Sequence, residues 1–121
     1  MLFHQDQDVT HELHGNHMIG VATPSRGARS VEVWRGRMDA GAATPPHRHD
    51  HEEVVVILSG SGRATVDGQE IRYQPGDTII LPGAKVHQIF AESDTEFVAA
   101  MPIGSAIETA AGEPLALPWR A

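Results

Sequence analysis

The chain has 121 residues, a length typical of one domain, and its 9 Lys and Arg against 16 Asp and Glu give a formal net charge of −7. That charge argues against binding to the phosphate backbone of nucleic acids. The absence of cysteine excludes disulfides, thiolate nucleophiles, zinc fingers and iron–sulfur sites. Any metal site must therefore use nitrogen and oxygen ligands, for which the 8 histidines are a rich supply.

Neither a membrane span nor an export signal is expected from the sequence. The longest aliphatic run, residues 54–58, is far shorter than the roughly 20 residues that cross a bilayer. Residues 1–10 contain Asp6 and Asp8 but no Lys, no Arg and no apolar core, unlike a signal peptide. We therefore expect no membrane contact and a cytoplasmic location.

Glycine and proline interrupt the middle of the chain every several residues, with short apolar or alternating runs between them. This spacing is typical of an all-β domain. Strands are predicted at residues 17–23, 30–39, 53–58, 63–66, 69–73, 78–81, 86–91 and 96–101. The dipeptide Asp67-Gly68 predicts a two-residue hairpin between the fourth and fifth of them.

Eight short strands are more than one open sheet carries comfortably, so they predict a closed barrel or a two-sheet sandwich. The barrel domain is expected to span residues 17–101. Residues 1–16 and 102–121 are predicted to be arms that pack on the barrel or against a partner subunit, because the first is polar and prolines oppose regular structure in the second.

Two histidines separated by one residue stand just before the third predicted strand. Successive side chains of a strand alternate faces, so His47 and His49 would point the same way, about 6 to 7 Å apart along the backbone. Such a pair can converge on one ion. Glu53 could bring a carboxylate to the same point, and His87, at the start of a later strand, offers a third nitrogen.

These residues resemble the two sequence motifs of the cupin family, over roughly residues 18–101. Every position of the first motif, G(X)5HXH(X)3-4E(X)6G, is present, in the residues Gly41, His47, His49, Glu53 and Gly60. The second motif, G(X)5PXG(X)2H(X)3N, is matched by Gly76, Pro82 and His87.

Two positions depart from the second motif. Ala84 stands where the family has its second glycine, and Ala91 stands where it has asparagine. The asparagine is not a metal ligand in the family pattern, so its absence leaves the expected ligand set intact. The change at Ala84 affects only the expected geometry of the local turn.

The resemblance implies an all-β, jelly-roll-like barrel, a double-stranded β-helix, with one divalent metal ion bound by His47, His49, Glu53 and His87. Ligands of these types suit manganese, iron, nickel, copper, cobalt or zinc. Four protein ligands leave up to two positions for water, oxygen or a chelating substrate, which is what an active site needs. Glu53 is also the candidate catalytic base, by leaving the metal to accept a proton.

Other polar residues have simpler interpretations. Glu52 competes with Glu53 as the carboxylate, but the apolar face of the following strand requires Glu52 to point outward. His51 is either an extra ligand, a base behind the ligands or, as favoured, a solvent-exposed loop residue. The remaining histidines are expected on a solvated arm, although a second metal site is possible if His11 and His14 share a helical face. These four residues are His4, His11, His14 and His17.

The remaining large side chains are assigned to the core or the surface. The core is expected to contain Trp34, Met38, Phe90, Phe97 and Met101. Tyr73 is expected to pack structurally, and Gln88 to face away from the site. The outward-facing basic residues are expected to be Arg35, Arg37, Arg63 and Arg72.

From the resemblance, the favoured function is a metalloenzyme acting on a small organic substrate, a dioxygenase-like oxidoreductase whose metal binds a substrate enolate or oxygen. A metal-dependent isomerase, lyase or cyclase stays open as an alternative, as does a non-enzymatic binding or sensing module. A purely structural barrel is the weakest hypothesis, since it needs no intact ligand set. The N-terminal arm and exposed sheet edges predict a homodimer.

Overall fold

The computed structural model describes residues 1–121, and strands form most of its regular structure. The eleven strands are β1 (His11–Leu13), β2 (Asn16–Ala22), β3 (Val31–Met38), β4 (His47–His49), β5 (Glu53–Ser59), β6 (Gly62–Val66), β7 (Gln69–Tyr73), β8 (Thr78–Leu81), β9 (His87–Ala91), β10 (Thr95–Pro102) and β11 (Ile107–Thr109). Three short 3-10 helices lie at Gln5–Gln7, Pro24–Arg26 and Pro118–Arg120. None of these helices has the length and apolar character needed to cross a bilayer.

The strands form two antiparallel sheets. The larger has the order β1-β2-β3-β10-β5-β8, and the smaller has the order β11-β4-β9-β6-β7. From β3 onward nearly every connection crosses from one sheet to the other, so the two sheets enclose one core in a jelly-roll barrel. The prediction of an all-β barrel is confirmed.

All eight predicted strands are present, and their ends differ from the predicted ones by no more than one residue. Three further strands were not predicted: β1, β4 and β11, each of three residues. A three-residue strand is too short to show a period of two, so alternation could not reveal it. β1 and β11 lie in the two segments predicted as arms, and they extend one sheet each.

Strand alternation decides which side chains fill the barrel. In β10, for example, Thr95, Phe97, Ala99 and Met101 are buried while the residues between them are not. Four of the five residues predicted for the core are buried. The prediction for Phe90 was wrong. Its neighbours in β9 face inward, so Phe90 faces outward, and the guanidinium of Arg63 lies 4.0 Å from the centre of its ring.

The other assigned side chains lie as predicted. The four arginines are outward and none is buried. The Tyr73 hydroxyl donates to the carbonyl of Phe90 at 3.1 Å and lies 3.1 Å from Thr95 Oγ1, a purely structural role. Gln88 is half-buried on the outer face, where its side-chain amide donates to the carbonyl of Thr44 at 2.8 Å.

The glycines of the two sequence motifs stand where the backbone is left-handed. Gly41, Gly60 and Gly76 have φ values of +88°, +87° and +89°. Ala84 occupies the remaining glycine position and also has a positive φ, of +66°. The alanine thus keeps the turn geometry of the motif, and its backbone N–H donates to the carbonyl of His49 at 2.6 Å. A left-handed alanine costs roughly 1 to 2 kcal/mol.

We expect Ala84→Gly to stabilise the protein by about 1 kcal/mol, because glycine adopts this conformation without a Cβ clash. Urea unfolding measures the change. Ala40→Gly is the matched control, since Ala40 is exposed and has no positive φ. Ala40→Gly is expected to lower the free energy of unfolding by up to about 1 kcal/mol, because glycine raises the conformational entropy of the unfolded chain. An equal loss in both variants would contradict strain at Ala84.

Candidate metal centre

Three short stretches of strand bring the candidate ligands together. His47 and His49 lie on the same face of β4, and His47 pairs directly with His87 of β9 in the neighbouring strand. Paired residues of neighbouring strands project from the same face of a sheet. Glu53 is the first residue of β5 in the opposite sheet, and its side chain is buried. The carboxylate thus faces the three imidazoles across the barrel interior.

The distances within the group match the size of a metal ion. His47 Nε2 and His87 Nε2 lie 3.1 Å apart, and Glu53 Oε1 lies 3.5 Å from Nε2 of both His49 and His87. One potential ligand atom from each of the four residues lies within 4.8 Å of the others. An ion with bonds of about 2.1 Å holds adjacent ligand atoms about 3 Å apart and opposite ones about 4.2 Å apart.

The only hydrogen bond from these imidazoles to a group outside the site is made by His47. His47 Nδ1 lies 2.7 Å from the carbonyl of Pro45, which only accepts, so Nδ1 carries the proton and Nε2 carries a lone pair. Both ring nitrogens of His49, and Nδ1 of His87, are buried without a hydrogen-bond partner. Buried polar atoms rarely lack a partner, so the unpartnered Nε2 of His49 fits a cation at this place. The three histidines and the glutamate form a group of residues that could hold a divalent metal ion.

Burial also sets the protonation state of the site. Desolvation, followed by the neighbouring His87, lowers the pKa of His47 to about 4 and the pKa of His49 to about 3. Both rings are therefore neutral at pH 7. Neutral imidazole is the form that binds metal, so no proton has to be displaced from either ring at that pH.

The neighbouring polar residues lie outside the group. Glu52 and His51 are exposed, and His51 Nδ1 lies 2.7 Å from Asp50 Oδ1 in the loop before β5. Both placements agree with the favoured interpretation of the sequence. The signal that separated Glu53 from Glu52 was the alternation of β5, whose buried positions include 53, 55 and 57.

The N-terminal histidines do not share a helical face. His11 lies in β1, and His14 lies in the turn after it with a φ of +51°, so the helical geometry proposed for a second site was wrong. His17 Nε2 lies 3.1 Å from Asp39 Oδ2, in a half-buried pair. His4 is exposed at the start of the first 3-10 helix.

A cavity of about 140 Å³ lies beside the group, and His47, Glu53 and His87 line it. Most of the remaining lining is apolar, from Met18, Trp34, Val55, Ile89, Phe97, Leu115, Leu117 and Trp119. A dry cavity of about this volume holds one benzene-sized ring. The geometry therefore joins a candidate metal centre to space for a small apolar molecule.

The sequence analysis missed the contribution of the C-terminal segment to this cavity. Leu115, Leu117 and Trp119 alternate with other residues, the spacing of an extended chain with one apolar face. That alternation was the available signal. The prolines at 114 and 118 hid it, because they argue against a strand.

The fold and the side-chain group together define a small antiparallel β-barrel with a candidate metal centre in its interior. Residues 34–102 match the family model described as the cupin domain. This match covers more than half of the chain, and the chain belongs to the cupin family.

Plant auxin-binding proteins are among the similar curated proteins. The chain is 29% identical over 90 residues to auxin-binding protein 4 of Zea mays, a match that covers 67% of this chain and 44% of that protein. It is 32% identical over 83 residues to auxin-binding protein 1 of Arabidopsis thaliana, with coverages of 61% and 42%. The chain thus matches less than half the length of either relative.

Solved structures share the fold at low sequence identity. The polyketide cyclase RemF from Streptomyces resistomycificus aligns with a TM-score of 0.78 and 17% identity, covering 91% of this chain and 84% of that one. Salicylate 1,2-dioxygenase from Pseudaminobacter salicylatoxidans aligns with a TM-score of 0.71 and 16% identity, with coverages of 79% and 30%. At such identities the likeness shows a common barrel.

We expect the metal-free protein to lose stability as pH falls from about 6.5 toward 4. In the unfolded chain His47 and His49 take up protons near their ordinary pKa of 6.5. In the folded chain their pKa values are lowered to about 4 and about 3, so both stay neutral until the pH is much lower. The unfolded state therefore binds more protons in this window, and stability falls as pH falls. Urea midpoints of chelator-treated protein between pH 7.5 and 4.5 measure the slope.

The control for this slope is the double variant His47→Gln, His49→Gln. It lacks both imidazoles whose pKa is lowered, so its stability should depend less steeply on pH over the same window. An identical slope in the two proteins would contradict the lowered pKa values.

Proposed function

We propose that this cupin binds a divalent metal ion through His47, His49, Glu53 and His87 and uses it to hold a small, largely apolar organic molecule. The observation that carries the proposal is the convergence of four donor atoms beside a mostly apolar cavity of about 140 Å³. A purely structural metal site needs no such cavity. Three of the four candidate ligands line it, so a molecule in the cavity would lie against the metal centre.

A divalent ion at this position would supply Lewis acidity, which lowers the pKa of a bound hydroxyl and polarises a bound carbonyl. The chain's own residues would provide the rest of the environment. Apolar side chains such as Met18 and Phe97 exclude water from the cavity and favour a ring or an aliphatic body in it. Glu53, whose carboxylate lines the cavity, is the candidate to accept a proton from the bound molecule.

Among enzymatic reactions we favour an oxygen-dependent oxidoreductase of the dioxygenase type, acting on an enolic or aromatic substrate. The shared barrel with salicylate 1,2-dioxygenase supports this choice. The polyketide cyclase RemF, whose alignment covers more of both chains, supports a metal-dependent cyclase, isomerase or lyase as the second candidate. Similarity to auxin-binding proteins supports a non-enzymatic role in binding a small molecule. Oxygen consumption separates the first of these from the other two.

The metal site is tested by elemental analysis of untagged protein purified without chelator. About one equivalent of manganese, iron, nickel, cobalt, copper or zinc is expected in the wild type. We expect Glu53→Gln, His47→Ala and His87→Ala each to weaken binding at least tenfold, because each removes a ligand. Glu52→Gln is the matched control, since it changes the same chemical group one residue away on the exposed side.

No metal in the wild type after reconstitution would overturn the metal proposal. Equal loss of metal in Glu52→Gln and Glu53→Gln would overturn the ligand assignment.

The reaction is tested in an oxygen electrode, in which protein loaded with Mn²⁺, Fe²⁺, Ni²⁺ or Cu²⁺ is mixed with enolic compounds and aromatic diols. Consumption that Glu53→Gln abolishes and Glu52→Gln preserves is expected for the dioxygenase. Binding without consumption would move the assignment to the cyclase class or to a binding module.

We also propose that the protein forms a homodimer through the outer face of its larger sheet. This face carries exposed or half-buried aliphatic side chains on neighbouring strands, at Val31, Val33, Val54, Val56, Ile80 and Val98. Ion pairs lie on both outer faces, such as Arg35 with Asp8 on the larger sheet and Arg72 with Glu92 on the smaller, but the larger sheet carries more exposed or half-buried aliphatic side chains. In a twofold-symmetric dimer the same face of a second copy would cover this apolar surface and remove it from water.

Light scattering at micromolar concentration is expected to give twice the mass of one chain. Ile80→Lys should raise the dissociation constant of the dimer at least tenfold, because the lysine charge would be buried between the two subunits. Ile71→Lys is the control, since Ile71 is an exposed aliphatic residue on β7 of the smaller sheet. A monomeric wild type would refute the dimer.

A further inference from the structure

The chain beyond β11 forms one wall of the cavity. It turns at Gly112, whose N–H donates to the carbonyl of Thr109 at 2.9 Å, and returns along β11 as far as Leu115, whose N–H donates to Ile107 at 2.9 Å. Beyond that point it pairs with no strand. We name residues 115–120 the C-terminal strap. Leu115, Leu117 and Trp119 of the strap line the cavity beside the metal centre.

A buried ion pair fastens the end of the strap to the barrel. Glu32 of β3 is only 2% exposed, and its carboxylate accepts bonds from Arg120 Nε at 2.8 Å and Nη2 at 3.1 Å. Arg120 Nη2 also donates to the carbonyl of Ser105 at 2.8 Å. Two donors from one guanidinium fix its orientation as well as its distance. Glu32 is the most buried carboxylate among the arginine–carboxylate pairs in the protein.

Glu32 breaks the pattern of its strand. It occupies a buried position of β3, where Trp34 and Met38 are also buried, and a charge there is costly unless it is paired. Its third bond, from Trp34 Nε1 at 2.5 Å, joins the pair to the cavity lining. Glu32 is paired, and a charged pair in a core position points to a role other than packing.

The Trp119 ring lies against the same lining. Trp119 packs edge-on against Trp34 with ring centres 5.6 Å apart, and Trp34 in turn lies 6.3 Å from the ring of His49. Gly20 of β2 permits this approach, because a Cβ there would collide with the carbonyl of Trp119. Arg120 is the residue next to Trp119, so its bonds to Glu32 hold the chain beside this ring.

We propose that the C-terminal strap is the specificity-determining wall of the cavity, and that the Arg120–Glu32 pair is the latch that positions it. Trp119 limits the size of the molecule that reaches the metal centre. Release of Arg120 from Glu32 frees the strap and opens the cavity. The effect on access rests on the proposed function, whereas the latch can be tested without any metal.

The latch is tested by labelling the protein with 5-fluorotryptophan. The chain has only 2 tryptophans, so two ¹⁹F resonances are expected, and Trp119→Phe assigns them. In wild type both should show a small shift between H₂O and D₂O, since both rings are buried. In Arg120→Gln the solvent shift of Trp119 should at least double, and that of Trp34, which packs against Trp119 and lines the same cavity, should increase less. Arg120→Lys, which keeps the charge but loses the two-bond geometry, should be intermediate.

Arg72→Gln is the matched control, because it removes the same group from an exposed ion pair with Glu92. It should leave both resonances unchanged. An unchanged Trp119 solvent shift in Arg120→Gln would overturn the latch. Loss of the cooperative urea unfolding transition in Arg120→Gln would mean that the pair supports the whole barrel, which also overturns it.

Access is tested with protein loaded with Co²⁺ and then mixed with excess EDTA. We expect the metal to leave at least tenfold faster from Arg120→Gln and from Trp119→Ala than from the wild type or Arg72→Gln. If Trp119 becomes exposed in Arg120→Gln but Co²⁺ leaves at the wild-type rate, the proposal that the strap controls access to the metal centre is overturned. A wild type that binds no Co²⁺ would instead overturn the proposed function, and the fluorine experiment would still decide the latch.

Discussion

Placing two buried imidazoles, a half-buried one and a buried carboxylate inside an apolar barrel costs free energy unless a cation or hydrogen bonds satisfy them. Here the hydrogen bonds are few: His47 Nδ1 donates to the carbonyl of Pro45 and His47 Nε2 lies 3.1 Å from His87 Nε2, while both nitrogens of His49 have no partner. The barrel is built so that these groups meet, with β4 and β9 adjacent in one sheet and β5 facing them from the other. The remaining interior is apolar and leaves a cavity next to the four donors.

The same barrel supports a second polar arrangement with a different purpose. The Glu32–Arg120 pair is satisfied by protein groups alone, through two bonds from Arg120 and one from Trp34. It holds the C-terminal strap beside the candidate metal centre. Of the two buried carboxylates, Glu53 is thus available to bind a metal ion, whereas Glu32 is fully paired with Arg120 and Trp34.

The barrel is shared with proteins whose names indicate a cyclase, a dioxygenase and hormone-binding proteins. A shared fold does not decide among such functions, because specificity lies in the side chains that line the cavity. In this chain that lining includes Leu115, Leu117 and Trp119, which lie outside the segment matched by the family model.

The sequence by itself determined the strand pattern, the turns and the candidate ligands. These features are local: alternation marks β5 and β10, Asp67-Gly68 marks a hairpin, and His47 and His49 stand two residues apart on one extended segment. Only the tertiary structure decided the rest. It placed His87 beside His47 and Glu53 opposite them, turned Phe90 outward because His87 faces inward, and joined Glu32 to Arg120 across 88 residues. Such contacts depend on how the two sheets pack, and no local pattern of residues encodes that packing.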